Sequence, residues 1–207
     1  VVGLLADRGF RARTVWVGSA GGLAALRRGE CDLAAMHLLD PETGRYNAPF
    51  LEPSMALSPG WRRLQGVVCR AGDPRFAGRS AEEAVTAALA DPDSVMVNRN
   101  AGSGTRLLVD GLIGAARPPG FWNQPRSHNA VAAAVAQGRA DWGVAIASVA
   151  EGYGLGFLPL AQEHYDFAYR IADRGKPALA AFLALLGTAE ADAALETLGF
   201  EPGGDEA

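Results

Sequence analysis

Cysteine is scarce in this sequence, and surplus positive charge is absent. Cys31 and Cys69 are the two cysteines among 207 residues, far apart and each beside an apolar run. Two buried free thiols are expected. No CxxC and no Cys/His cluster is present, so no metal site is expected. Net charge is −4, which argues against a broad basic surface for nucleic acid. No apolar run reaches the length of a membrane span, so no membrane partner is expected. The chain opens VVGLLADRGF. This reads as the end of a helix stopped by Gly9, without the basic stretch and small-residue cleavage site of a signal peptide. Further chain upstream is therefore expected. A cytoplasmic address is the expectation for a ligand-sensing domain, with export the alternative if a signal peptide lies upstream.

The usual catalytic signatures are missing too. No GxSxG elbow is present. The run Asn98-Arg-Asn-Ala-Gly-Ser-Gly-Thr105 lacks the lysine of a P-loop. There is no Gly-x-Gly-x-x-Gly with an acidic partner, and no evident pair of carboxylates at acid/base spacing. The expectation is a protein without catalytic residues and without a cofactor, not an enzyme.

What is present is a soluble globular composition, 49% apolar and 20% charged, with 26 glycines suited to tight βα turns. Short apolar β-type runs alternate with helical stretches, the pattern of a parallel sheet with helical crossovers. Strands are predicted at Thr14–Val17, Cys31–Leu38, Gln65–Arg70, Ser94–Asn98, Asp141–Ile146, Phe157–Leu160 and Tyr165–Arg170. Helices are predicted at 23–28, at 80–90 with a Ser80/Glu83 capping box, from Thr105 to Ile113, at 129–137, at 177–186 and at 190–198, with a helical turn at 148–152. Residues 40–64 read as a long loop, and Glu201–Ala207 as an acidic, frayed tail.

One feature recurs: a turn rich in glycine and hydroxyl residues that opens a helix. It occurs at Ser19, Gly21 and Gly22, again at Ser103, Gly104, Thr105 and Arg106, and as a helix start at Ser127, His128 and Asn129. A helix start carries unpaired amides and partial positive charge. Glycine admits close approach, and a hydroxyl adds a donor, so converging starts would make a socket for a small oxyanion. Each is equally readable as a plain cap. Arg106 offers either an anion fork or an i+4 pair with Asp110. His128 is either an oxyanion donor or a histidine bonded to backbone in its capping turn. His37 ends a strand on the side where open parallel sheets bind ligands. His164 and Tyr165 read first as packing residues, with the Tyr165 hydroxyl a further candidate.

Four stretches, GSAGGLAALRRGECDLAAMHLLDPETGRYNAPFL, VNRNAGSGTR, SHNAVAAAVAQGRADWGVAI and FLPLAQEHYDFAYR, together resemble the periplasmic-binding-protein-like domain. That domain is found attached to helix-turn-helix regulators or to molybdopterin biosynthesis proteins. The closing run GKPALAAFLALLGTAEADAALETLGFEP is similar to the last helices of molybdate- and tungstate-binding proteins. The resemblance implies an α/β, type II periplasmic-binding-protein-like fold. One lobe would span 1–64 and 171–207 and the other 65–170, with crossing hinge strands near 65–70 and 158–170. It implies binding of molybdate or tungstate between the lobes by Ser19, the Ser103–Thr105 turn and the His128–Asn129 helix start, as a ligand-sensing or delivery domain. A fused or upstream DNA-binding or cofactor-biosynthesis domain would be its partner. The alternatives are an exported component of an anion transporter and an accessory domain of a molybdenum-inserting enzyme.

Overall fold

In the computed structural model, which describes residues 1–203, the chain opens with helix α1 (Val2–Asp7), and Gly9 follows at φ +81°. Exposed coil then leads to α2 (Gly18–Arg27) and the short strand β1 (Ala34–Met36). A 3-10 turn (Ala48–Phe50) precedes β2 (Met55–Arg70). Next come α3 (Ala81–Ala90), β3 (Met96–Val97), α4 (Gly104–Ile113), α5 (His128–Ala136), β4 (Trp142–Ile146) and α6 (Ala147–Gly152). The chain then runs through β5 (Leu155–Arg170), a second 3-10 turn (Ile171–Asp173), α7 (Pro177–Leu185), α8 (Ala189–Glu196) and β6 (Glu201–Pro202). No single helix among the described residues is long and apolar enough to cross a membrane.

The chain divides into two units: Val1–Arg63 with Glu163–Ala207, and Leu64–Gln162. Each boundary falls inside a strand of 16 residues, β2 or β5.

In the continuous unit, Gln65 to Cys69 of β2 pair antiparallel with Ile146 to Trp142 of β4, and β3 pairs parallel with β4 at Met96↔Trp142. Side chains alternate across this sheet, as the two-residue period of a strand requires. Val67, Cys69, Met96, Trp142 and Val144 pack with α3 and α4 on one face, where Phe76 and Phe121 complete the cluster. Val68, Val97 and Ala145 pack with Val131, Ala134 and Val135 of α5 on the other. Phe76 and Phe121 are each 1% exposed, and their burial contributes roughly 1.5–3 kcal/mol apiece.

In the discontinuous unit, β1 pairs antiparallel with β5 (Ala34↔Ala168 to Met36↔Asp166), and β6 pairs with β2 at Trp61↔Pro202. Leu23 and Leu26 of α2 pack on Ala34, Met36 and Ala168. Phe167 points into a second cluster with Leu5, Trp61, Phe182 and Leu185.

The structure departs from the sequence expectations at five places. The sheet is mixed, not wholly parallel. Residues 14–17 form no strand: no ladder partner is present, and Val15, Trp16 and Val17 are exposed. The expected loop 40–64 ends at Met55, where β2 begins. Gly60 sits inside β2 because an added Cβ would strike the Tyr165 carbonyl of β5. The strands expected at 157–160 and 165–170 are one strand, β5, in which Pro159 is exposed and does not break the run. The expected frayed tail begins instead with Glu201 and Pro202 paired to β2; residues 204–207 lie outside the described residues.

Candidate functional site

In the unit Leu64–Gln162, two helix starts share a residue that the sequence reading did not single out. Arg99 follows β3 and is 6% exposed. One guanidinium nitrogen reaches Thr105 Oγ1 at 3.4 Å in the first turn of α4, and lies 3.2 Å from Nδ1 of His128, the first residue of α5. The other donates to the Arg126 carbonyl at 3.4 Å. A buried guanidinium is costly unless polar groups surround it, and here they come from both helix starts.

Local sequence sets both starts. Ser103 caps α4: its hydroxyl accepts from the Arg106 amide at 3.2 Å and donates to the Asn100 carbonyl at 3.0 Å. Ser127 caps α5 by accepting from the Ala130 amide at 3.1 Å. These caps take the third amide of each helix. The amides of Gly104 and Thr105, at the start of α4, have no acceptor within their helix. Thr105 and Gly104 are buried; Asn129 is exposed. Arg106 donates to Asp110 at 2.7 Å and to the Arg99 carbonyl at 3.3 Å, and its guanidinium lies 4.9 Å from the Phe121 ring centre. Of its two sequence readings, the Asp110 pair is the arrangement present.

In the other unit, α2 begins five residues earlier than predicted, at Gly18. Ser19 therefore lies within the first turn and is 2% exposed. Its hydroxyl oxygen accepts the His37 amide at 3.2 Å. An added Cβ at Gly22 would make an ordinary contact with Ala34 of β1 at 3.5 Å, and one at Gly21 a tight contact with Val17 at 3.1 Å.

His37 leads from Ser19 into a buried polar cluster. Its Nδ1 is 3.0 Å from Glu163 Oε1, and Arg63 Nε donates to the same oxygen at 2.9 Å. The Tyr165 ring stacks on His37 at 5.6 Å, with the Arg63 guanidinium 5.0 Å from its centre. Burial, with Glu163 adding, pushes the Tyr46 phenol up to about 12. Burial also raises Tyr165, against the pull of Arg63. His164 stacks on Tyr46, a packing role.

Asn47 holds this cluster from the loop. It is wholly buried at φ +58°, ψ −52°, the centre of a γ-turn in which the Ala48 amide reaches the Tyr46 carbonyl. Its side chain accepts from the Leu38 amide at 2.8 Å and donates to the His164 carbonyl and to Asp166. Sequence gave a weak signal for it: asparagine is the residue after glycine that best tolerates positive φ. For Arg99 the signal was an arginine four residues before a helix-capping serine.

A family model described as "PBP superfamily domain" matches residues 3–187. YvgK of Bacillus subtilis (strain 168) is 32% identical over 160 residues, covering 72% of this chain and 50% of that protein. The chain thus spans about half the length of that relative. Among solved structures, an ABC-type phosphate transport receptor from Vibrio cholerae superposes with a TM-score of 0.68 at 14% identity, covering 96% of this chain and 93% of that one. The tungstate binding protein TupA from Desulfovibrio alaskensis G20 gives 0.67 at 16% identity, covering 99% and 92%. The regulatory domain of MetR, a LysR family regulator from N. meningitidis, gives 0.60 at 16% identity, covering 88% and 80%. The shared fold is the type II periplasmic-binding-protein-like one, as the sequence resemblance implied.

Proposed function

Because this chain belongs to the PBP superfamily domain family, a family of ligand-binding domains, we propose that its ligand is a small oxyanion, with tungstate and molybdate favoured. The observation that carries the reading is Arg99, a buried guanidinium held between the starts of α4 and α5. A tetrahedral anion at that point would receive a charged donor together with the Gly104 and Thr105 amides of α4. In the discontinuous unit, taken by itself, the Ser19 hydroxyl at the start of α2 uses its oxygen on the His37 amide, so its proton is what it can offer to a ligand.

The neighbours support the anion class: one is a tungstate binding protein and another a phosphate transport receptor. In this reading the domain binds and reports, or delivers, its anion and performs no chemistry itself. It works in the cytoplasm, attached to an output domain. The likeness to a LysR regulatory domain supports a DNA-binding partner.

Calorimetric titration and thermal melting with tungstate, molybdate, sulfate and phosphate test the proposal. Micromolar or tighter binding of at least one, with a melting point that climbs with ligand, is expected. Absence of heat and of any melting shift with all of them overturns it.

A further inference from the structure

Two arginines meet at the Arg99 site. Arg99 is buried, and one of its guanidinium nitrogens donates to the backbone carbonyl of Arg126 at 3.4 Å. The side chain of Arg126 is exposed, one residue before the Ser127 cap of α5. A second cation is thus tied by its backbone to the first, at a separation comparable to the Debye length of physiological salt.

Like charges at that spacing repel, and the partial positive charge of a helix start adds to the repulsion. Acidic residues in a first turn relieve it. Helix α3 has Glu82 and Glu83 there, and α8 has Glu190 and Asp192. The first turns of α4 and α5 contain no acidic residue. Arg106, in the first turn of α4, is paired with Asp110 at 2.7 Å. Among the described residues no carboxylate pairs with Arg126. Arg99 and Arg126 therefore bring one positive charge each to the same pair of helix starts.

We infer that Arg126 makes the Arg99 site selective by charge, favouring a doubly charged tetrahedral anion over a singly charged one of the same size. The inference rests on the oxyanion reading above and adds to it the residue that discriminates. Shape does not separate anions of equal size, and the Gly104 and Thr105 amides donate alike to either. A Coulomb attraction scales with the charge of the ligand, so Arg126 stabilises a bound dianion about twice as much as a bound monoanion. Because the side chain is exposed, solvent and salt weaken the effect. The bond to Arg99 comes from the Arg126 carbonyl, which any residue at this position supplies. Replacing the side chain therefore leaves the buried guanidinium held.

Tungstate and perrhenate make the comparison, since both are tetrahedral and of similar size, the first doubly and the second singly charged. Calorimetric titration of the wild type, Arg126→Gln and Arg126→Lys with the sodium salts, at low and high ionic strength, is the test. The wild type should bind tungstate about tenfold or more tighter than perrhenate. In Arg126→Gln, tungstate affinity should fall by about threefold to tenfold and perrhenate affinity by about the square root of that factor, so the preference narrows. The loss should shrink at high salt, and Arg126→Lys should keep the wild-type preference. An equal loss for both anions in Arg126→Gln overturns the inference, as does an unchanged tungstate affinity, and either leaves anion binding standing. Perrhenate bound as tightly as tungstate by the wild type overturns it too. Absence of binding of either anion to the wild type overturns the inference together with the tungstate reading on which it rests.

Discussion

Arg75 donates to Asp141 across 2.7 Å, tying the turn after β2 to the residue that enters β4. Arg70 shares the same oxygen at 2.7 Å, and the other carboxylate oxygen receives the Val95 amide at 2.9 Å. Burial alone would raise the Asp141 carboxyl. Hydrogen bonds from Arg75, the Val95 amide and Arg70 outweigh it and bring the group down to about 2. A folded value below the unfolded one means stability that is full above roughly pH 4 and is lost as pH falls through the folded value. Asp141→Asn should therefore cost about 2 kcal/mol at neutral pH and progressively less on acidification. Urea denaturation at neutral pH and near the folded value measures both; an equal loss at each would contradict the assignment.

Arg99→Gln keeps a polar side chain between the two helix starts and removes the charge. Anion affinity should fall by about tenfold to a hundredfold, the equivalent of losing a charged hydrogen bond of about 1.5–3 kcal/mol. Calorimetry reads the loss, and unchanged affinity would remove Arg99 from the site.

Ser19 and Ser103 should respond differently to alanine. The Ser103 hydroxyl is engaged at both ends in capping α4, so Ser103→Ala should cost about 1 kcal/mol of stability, seen as a lowered melting point. Ser19→Ala should act chiefly on binding, weakening it by about 1–3 kcal/mol if the hydroxyl donates to the anion. Paired melting and titration of the two variants separate the effects.

Asn47→Ala should destabilise the protein by about 2–3 kcal/mol, because the Leu38 amide loses its acceptor in a buried position. Alanine also tolerates the positive φ less well. Asn47→Gly removes the backbone strain but not the lost bonds, so chemical denaturation should place it between alanine and the wild type.

Cys69 is buried, and desolvation pushes its thiol up to about 11. Little thiolate exists near neutral pH, so iodoacetamide should leave Cys69 intact until the protein is unfolded. Peptide mapping after native labelling gives the answer.

Helix starts with a serine cap were the part of the fold most legible in the sequence. Ser80 with Glu83, Ser103 and Ser127 all cap where the local pattern put them, since a cap is a contact between near neighbours in the chain. Strands were read less well, because a strand depends on a partner. The apolar run at 14–17 has none and stays coil. β2 was hidden by Pro59 and Gly60, although proline is exposed there and glycine is demanded by the approach of β5. The candidate anion residues were found as turns, but Arg99 and Glu163 were not, because their environments are assembled from segments distant in sequence. Arg99 meets His128, and Glu163 meets Arg63, only after folding.

The division of the chain into one continuous and one discontinuous unit has a consequence for synthesis on the ribosome. Residues 64–162 emerge together and can complete their own core co-translationally. The Trp61 cluster cannot: its partners Phe167, Phe182 and Leu185 are translated roughly a hundred residues later. The segment around Trp61 therefore waits with an apolar surface uncovered until those partners emerge, the interval in which a chaperone would be most needed.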